Sequence, residues 1–222
     1  MEGDGRSNAL HDPTGRYPSP PFKQQSQPWP GLARDMDPRP DHGEESYRGS
    51  GRLTGRKALI TGGDSGMGRA ASIADISSEE FDDTIKTNIY APFWILRAAL
   101  PHLKPGSAII ATTSEQAYDP SPDLYDYAQT KAATMSYVKS LAKQLGAKGI
   151  RVNGVAPGPI WTPLQISGGS TQEKIETFGG QTPLGRPGQP AELGSIYVQL
   201  AAADASYATG QIYGAAGGGG QP

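Results

Sequence analysis

The stretch from Thr61 to Asp83, TGGDSGMGRAASIADISSEEFDD, constrains the fold of this chain more than any other. It follows an apolar run, RKALI, which predicts a short buried strand over Lys57–Thr61. Glycines then stand at 62, 66 and 68. A strand, a glycine turn and a helix start let the backbone approach a pyrophosphate, and the helix N-terminus supplies free N–H groups and partial positive charge. In a glycine-rich chain the same triplet also reads as a plain tight turn. Within a dozen residues, however, Ser77 and Glu80 form a capping box that opens a different helix. A dinucleotide fold carries the residue that chooses its nucleotide about 20 residues past the loop, at the end of a second strand. That count lands between Asp82 and Asn88, inside the capped helix. No second strand can be read between the loop and this helix, and the junction lies near Ala70 to Asp75.

The rest of the chain alternates regularly. Ile85, Ile89, Phe93, Leu96, Leu100 and Leu103 recur at helical spacing. Ser107–Ser114 predicts a strand, and a second long helix is expected over Tyr127–Leu145. IRVNGVAPG predicts a third strand. Residues 159–189, rich in Gly, Pro and Thr, read as a mobile loop with a short helix. AELGSIYVQLAAA and GQIYGAAGG then read as a last helix and a last strand. Strands alternating with helices imply an α/β fold: a Rossmann-like parallel sheet with helices on both faces.

Two segments are expected. Residues 1–50 hold eight of the prolines and few aliphatics, too little apolar surface to offset ordering entropy. They read as an extended Pro-rich arm, solvated as a tail, or else wrapped on a neighbouring subunit through Tyr17 and Trp29. Residues 51–222 form the incomplete sheet domain. A net charge of −2 gives no sign of nucleic-acid or anionic-membrane binding. With no cysteine and three scattered histidines, no metal site is expected. The start resembles no signal peptide, and no apolar stretch approaches the ~18 residues of a membrane span. The expectation is a soluble, cytoplasmic protein.

Four polar positions are candidates for chemistry. Tyr127 and Lys131 lie four apart on one helix face, where an ammonium would lower a phenol's pKa and fit it for acid/base work. Ser114 ends a strand thirteen residues earlier, on the side where open parallel sheets bind ligands; alone it reads equally as a loop cap. Asn88 sits mid-helix four residues before Pro92, which has no N–H for the Asn88 carbonyl. That carbonyl is either free for water or lysine, or simply marks a kink. NGVAPGPIWTP, Asn153–Pro163, is either a plain turn or a seat for a flat ring, with Thr162 facing a carboxamide.

Taken in order, TGGDSGMG, the helical TN, TTS, YAQTK and PGPIWT resemble the short-chain dehydrogenase/reductase family. The flanking text (QAYDPSP, SLAKQLGAKGIRVN, TPLGRPGQPAE and the long amino-terminal arm) is similar to its bacterial glucose/ribitol dehydrogenase-like subgroup. The resemblance implies NAD or NADP as cofactor and hydride transfer to or from an alcohol, sugar or carbonyl substrate. It makes Tyr127 the acid/base, Lys131 its pKa modifier and ribose ligand, Ser114 the substrate-orienting hydroxyl and Asn88 the holder of a relay water. Thr61, Gly62, Asp64, Ser65, Gly66, Met67 and Gly68 would cradle phosphates, with Tyr127 and Lys131 at the ribose. Pro157, Gly158, Ile160 and Thr162 would meet the nicotinamide. A homotetramer is implied. In the family's strand order, 3-2-1-4-5-6-7, this chain keeps strands 1, 5, 6 and 7. Either the glycine loop shifts by about one strand spacing of ~4.8 Å, or a slot with unpaired backbone remains. The rival reading is a non-catalytic remnant that binds a partner or folds poorly.

Overall fold

A computed structural model describes residues 11–61, 73–168 and 170–219. The first long helix starts where the capping box demands. The Ser77 hydroxyl accepts from the Glu80 N–H at 3.1 Å, and the Glu80 carboxylate accepts from the Ser77 N–H at 3.0 Å, so two otherwise orphaned donors are satisfied. From this cap run α1 (Ser78–Ile85), a π-helical stretch (Lys86–Tyr90) and α2 (Ala91–Ala99) without a break. The π stretch lies immediately ahead of Pro92. Because Pro92 cannot donate to the Asn88 carbonyl, the ladder is interrupted there. The Ala91 N–H reaches back to the Lys86 carbonyl instead.

Three strands form one parallel sheet in the order β1-β2-β3: β1 (Ala108–Thr112), β2 (Arg151–Pro157) and β3 (Ile212–Ala215). The central strand β2 is buried from Val152 to Ala156. On one face lies α3 (Tyr125–Leu145), whose Val138, Ala142 and Leu145 pack on Ile150 and Val152. Gly154 lets the layers meet, since a Cβ there would stand 2.6 Å from Ile212 Cδ1. On the other face lies α6 (Pro190–Ala201). There the Tyr197 and Thr112 hydroxyls are 2.6 Å apart, and the Arg151 guanidinium donates to the Leu200 and Ala202 carbonyls at 2.8 and 2.9 Å. The α/β expectation of helices on both faces of a parallel sheet therefore holds.

One expected strand is not in the sheet. Lys57–Thr61 takes no regular structure, and its Leu59 and Ile60 are 74% and 83% exposed. Of the two outcomes that the shortened sequence allowed, the structure has the slot. Among the described residues β1 pairs with β2 alone. The physical reason is spacing. A strand joins a sheet only at about 4.8 Å from a neighbour, whereas this segment is tied to the start of β1 through a side chain, Arg56 Nη1 donating to the Gly106 carbonyl at 3.3 Å.

The amino-terminal arm is not a solvated tail either; it folds onto its own chain. Phe22 stacks on Trp161 with ring centroids 4.4 Å apart, and both are buried with Met36, Ile166 and Ile175 in a second apolar cluster. Backbone bonds fasten it: Phe22 N–H to the Glu176 carbonyl at 2.9 Å and Gln27 N–H to Ile166 at 3.1 Å. Trp161 Nε1 donates to the Pro38 carbonyl at 2.8 Å. Its partner is the region expected as a mobile loop, which contains two short helices, α4 (Leu164–Ser167) and α5 (Gln172–Glu176). Of the two expected anchors, Tyr17 donates to Asp41 at 2.8 Å, while Trp29 stays half exposed.

Candidate active site

The candidate residues gather past the carboxyl end of β1. Ser114, buried, has an extended backbone and caps a short 3₁₀ turn, its hydroxyl accepting from the Gln116 N–H at 3.2 Å. The neighbouring Thr113 hydroxyl donates to the Lys131 carbonyl at 2.7 Å, so the strand end and α3 are fixed to one another. On α3, Tyr127 and Lys131 are one turn apart, with the ammonium 5.4 Å from the phenol ring centroid. Asn88 joins from the π stretch, donating its amide to the Thr130 hydroxyl at 3.1 Å. Asn88, Ser114, Tyr127 and Lys131 are thus tied into one framework.

The electrostatics differ from the expectation for a tyrosine beside a lysine. Burial pushes the Tyr127 phenol above its ordinary value of 10.0; the Ser114 hydroxyl pulls it back, and the Glu115 carboxylate pushes it further up. Burial also lowers Lys131 from 10.5. The Lys131 ammonium donates to the Thr112 carbonyl at 3.1 Å, on the β1 edge. Glu115 was not among the sequence candidates, although it directly follows Ser114. Its own carboxyl is pushed up by burial and by the nearby Asp119.

At the far side of the site, Pro157 ends β2 and Gly158 donates its N–H to the Ala215 carbonyl at 3.0 Å. A Cβ on Gly158 would stand 2.6 Å from Ala216 Cα and 2.9 Å from a Glu115 carboxylate oxygen. Ile160 bridges to Gly188, Trp161 is fully buried, and Thr162 is half buried just ahead of α4. Thr61 is exposed outside the sheet, and Gly62, Asp64, Ser65, Gly66, Met67 and Gly68 lie outside the described residues.

These residues fit one end of a dinucleotide. The Lys131 ammonium has three N–H groups and gives one to Thr112, leaving donors for a ribose diol. At the Pro157–Gly158 turn the missing side chain of Gly158 lets Ala216 and Glu115 close in on the backbone. The phosphate end has no such support among the described residues, since Thr61 stands apart from the strand edge.

Comparison with known proteins identifies the chain's family. The family described as Enoyl-(Acyl carrier protein) reductase matches residues 63–219. An oxidoreductase of Escherichia coli (strain K12), YghA, is 42% identical across 94% of this chain and 98% of its own length. That alignment runs over 287 positions, more than the 222 residues of this chain, so the relative carries residues this chain lacks. Among solved structures, a 3-oxoacyl-[acyl-carrier protein] reductase with bound NAD from Brucella melitensis superposes with a TM-score of 0.62 at 32% identity, covering 70% of this chain and 57% of that one. A short-chain dehydrogenase/reductase, glucose/ribitol dehydrogenase, from the same organism gives 0.60 at 32% identity, covering 69% and 60%. The chain therefore spans about 60% of the length of the solved structures it matches. On the sequence match, the shared parallel sheet and the common order of its motifs, the chain belongs to the short-chain dehydrogenase/reductase family.

Proposed function

We propose that the chain is an NAD(P)-dependent oxidoreductase that interconverts an alcohol or sugar hydroxyl and the corresponding carbonyl. One observation carries the reading: Asn88, Ser114, Tyr127 and Lys131 are linked into a single framework past the carboxyl end of a parallel sheet. The NAD in the Brucella reductase supports the cofactor class. Bound nicotinamide supplies a hydride donor or acceptor for the substrate carbon. Tyr127 gives a proton to the carbonyl oxygen in reduction and takes it back in oxidation. Ser114 donates to the same oxygen and orients it. Lys131 would stabilise the phenolate and give its remaining N–H groups to ribose hydroxyls, and Pro157, Gly158, Ile160 and Thr162 would line the nicotinamide end. Asn88, fixed by Thr130, keeps its turn of helix beside α3 and holds the relay water.

We further infer that the residues this chain lacks relative to YghA form one internal block between the glycine loop and α1. Supporting this, the capped helix opens within a dozen residues of the loop, and Lys57–Thr61 has lost its sheet neighbour. A second reading follows from the same observation, together with the raised Tyr127 phenol: a folded member of the family that binds a partner and turns over slowly or not at all. Assembly as a homotetramer in the cytoplasm belongs to the proposal as well.

The deciding experiment is a fluorescence titration of the purified chain with NADH and NADPH, with a thermal melt on the same sample. Saturable binding that raises the melting temperature, together with sugar-alcohol oxidation abolished by Tyr127→Phe, is the expected result. A cooperative melt unmoved by either nucleotide would overturn the enzyme reading and leave the binding one.

A further inference from the structure

Among the described residues the outer edge of β1 has no strand partner, and Lys57–Thr61, a segment with the composition of a strand, joins no sheet. The Arg151 N–H donates to the Ser107 carbonyl at 3.1 Å, and the Thr113 N–H donates to the Val155 carbonyl at 2.8 Å. The odd-numbered backbone groups of this strand therefore face β2, and those of Ala108, Ile110 and Thr112 face outward. No described strand lies against them. Exposed edges are ordinarily blunted by charge, proline or a bulge; Ala108–Thr112 reads AIIAT and has none of these. The Lys131 ammonium on the Thr112 carbonyl, at 3.1 Å, meets one outward group at one end.

Lys57–Thr61 has the same length as β1, an apolar centre, and two large aliphatic side chains left in water. Its root is pinned by side chains at two points. Arg52 is paired with Asp204 at 2.6 Å, and Arg56 reaches the Gly106 carbonyl at 3.3 Å. Held in this way at its root, the segment pairs with no strand of its own sheet among the described residues. Every copy of the chain thus carries both an edge and a segment without a strand partner among the described residues. Exchange of an identical element between two copies closes such a pair with two-fold symmetry and uses both the segment and the β1 edge of each copy, so the exchange itself does not propagate.

We propose that the β1 edge is filled by Lys57–Thr61 of a second copy, in a reciprocal exchange that gives each sheet a fourth strand and buries Leu59 and Ile60. The proposal concerns assembly and does not rest on catalysis at Tyr127.

The test uses the full chain and two variants. Ile110→Pro removes an outward N–H that serves no bond to β2, a position where a strand tolerates proline. Ile60→Lys changes a side chain that is 83% exposed and leaves the folded monomer intact. Sedimentation velocity at micromolar concentration is expected to show the parent chain as exchanged dimers, alone or paired into the tetramer proposed above, and at least about tenfold weaker dimerisation for each variant. Mixing the two variants is expected to restore a heterodimer, because Ile110→Pro retains an intact segment and Ile60→Lys an intact edge. A monomeric parent overturns the proposal, as does a dimer indifferent to both changes. Loss of the dimer in Ile110→Pro alone also overturns it, because that result marks direct pairing of two β1 edges. Failure of the mixture to recover a dimer excludes exchange between copies. If Ile110→Pro does not fold, Ile60→Lys alone decides, since a dimer it leaves unchanged cannot involve the segment.

Discussion

Asn88 donates its side-chain amide to the Thr130 hydroxyl at 3.1 Å, and one turn earlier on both helices Thr84 donates to Asp126 at 2.5 Å. The two bonds form a ladder with matched steps of four residues, and they lock α1 and the π stretch in register with α3. Register matters here because Tyr127 lies between Asp126 and Thr130. The ladder sets which atoms of Asn88 stand beside the phenol's helix.

Removing the lower rung tests this. Asp126 is buried, and its second carboxylate oxygen has no partner among the described residues. Thr84→Val would strand the whole carboxylate. Losing a partner of a buried polar group of this kind costs about 2–3 kcal/mol, which for a chain of this size is a fall of about 4–12 °C in melting temperature. Thr84→Ser retains the hydroxyl and is expected to lose less than a third of that. Equal losses in the two variants would mean that packing, not the hydrogen bond, holds this seam.

The arm supplies a second test. Phe22 is 6% exposed and stacked on the fully buried Trp161. Phe22→Ala is expected to cost about 3 kcal/mol and to expose the arm to limited proteolysis near residues 20–40. Trp161 fluorescence should shift to longer wavelength as water reaches the ring. A variant with unchanged melting temperature and emission would show that the arm contributes nothing to the cluster around Trp161.

These cases show what could be read from residues alone. The capping box at Ser77, the long helix (expected over Tyr127–Leu145, found over Tyr125–Leu145) and the three strands that form the sheet were all legible, because each is written in local chemistry: a cap, a periodicity, an apolar run bounded by turns. The strand-end position of Ser114 and the shared helix face of Tyr127 and Lys131 were legible in the same way, but spacing alone left them open to ordinary structural readings, and their roles came from the family resemblance. The failures are non-local. Lys57–Thr61 has the composition of a strand but lacks a neighbour, and no local pattern reports the loss of a neighbour. The arm looked solvated because its apolar residues are few, yet Phe22 and Met36 sit where Trp161, Ile166 and Ile175 need covering. Tyr127 was expected to be acidic from the position of Lys131; burial and Glu115, neither visible in the i, i+4 spacing, act in the opposite direction.

Close packing at the Pro157–Gly158 turn gives a third test. Gly158→Ala would put its Cβ 2.6 Å from the Ala216 backbone, and backbone cannot swing aside as a side chain does. Overpacking of this kind costs about 1–3 kcal/mol. The strain should appear in the melt even without nucleotide. A Gly158→Ala chain as stable as the parent would mean that the carboxyl-terminal strand shifts freely, and the turn would then be a poor seat for a rigid ring.

Glu115 gives the most discriminating test, because one change moves two observables in stated directions. Its carboxyl is raised above 4.5 by burial first and Asp119 second. A group whose folded pKa is raised contributes stability in its protonated form, present below about pH 4.5 and lost as pH climbs through the higher folded value. At pH 7 the ionised carboxylate is therefore a liability, and Glu115→Gln is expected to stabilise the chain. Water screens this half-exposed group, so the gain is about 0.5 kcal/mol, or about 1–2 °C in melting temperature, and it should vanish below about pH 4.5. The same substitution removes the negative charge that pushes the Tyr127 phenol up. Difference absorbance of phenolate, recorded for the parent, Glu115→Gln and Tyr127→Phe chains, should show the Tyr127 transition moving to lower pH in Glu115→Gln. Stabilisation without that movement would mean that Glu115 acts only on packing around Gly158. Movement without stabilisation would mean that its carboxylate is solvated and reaches the phenol only through the field in the cleft.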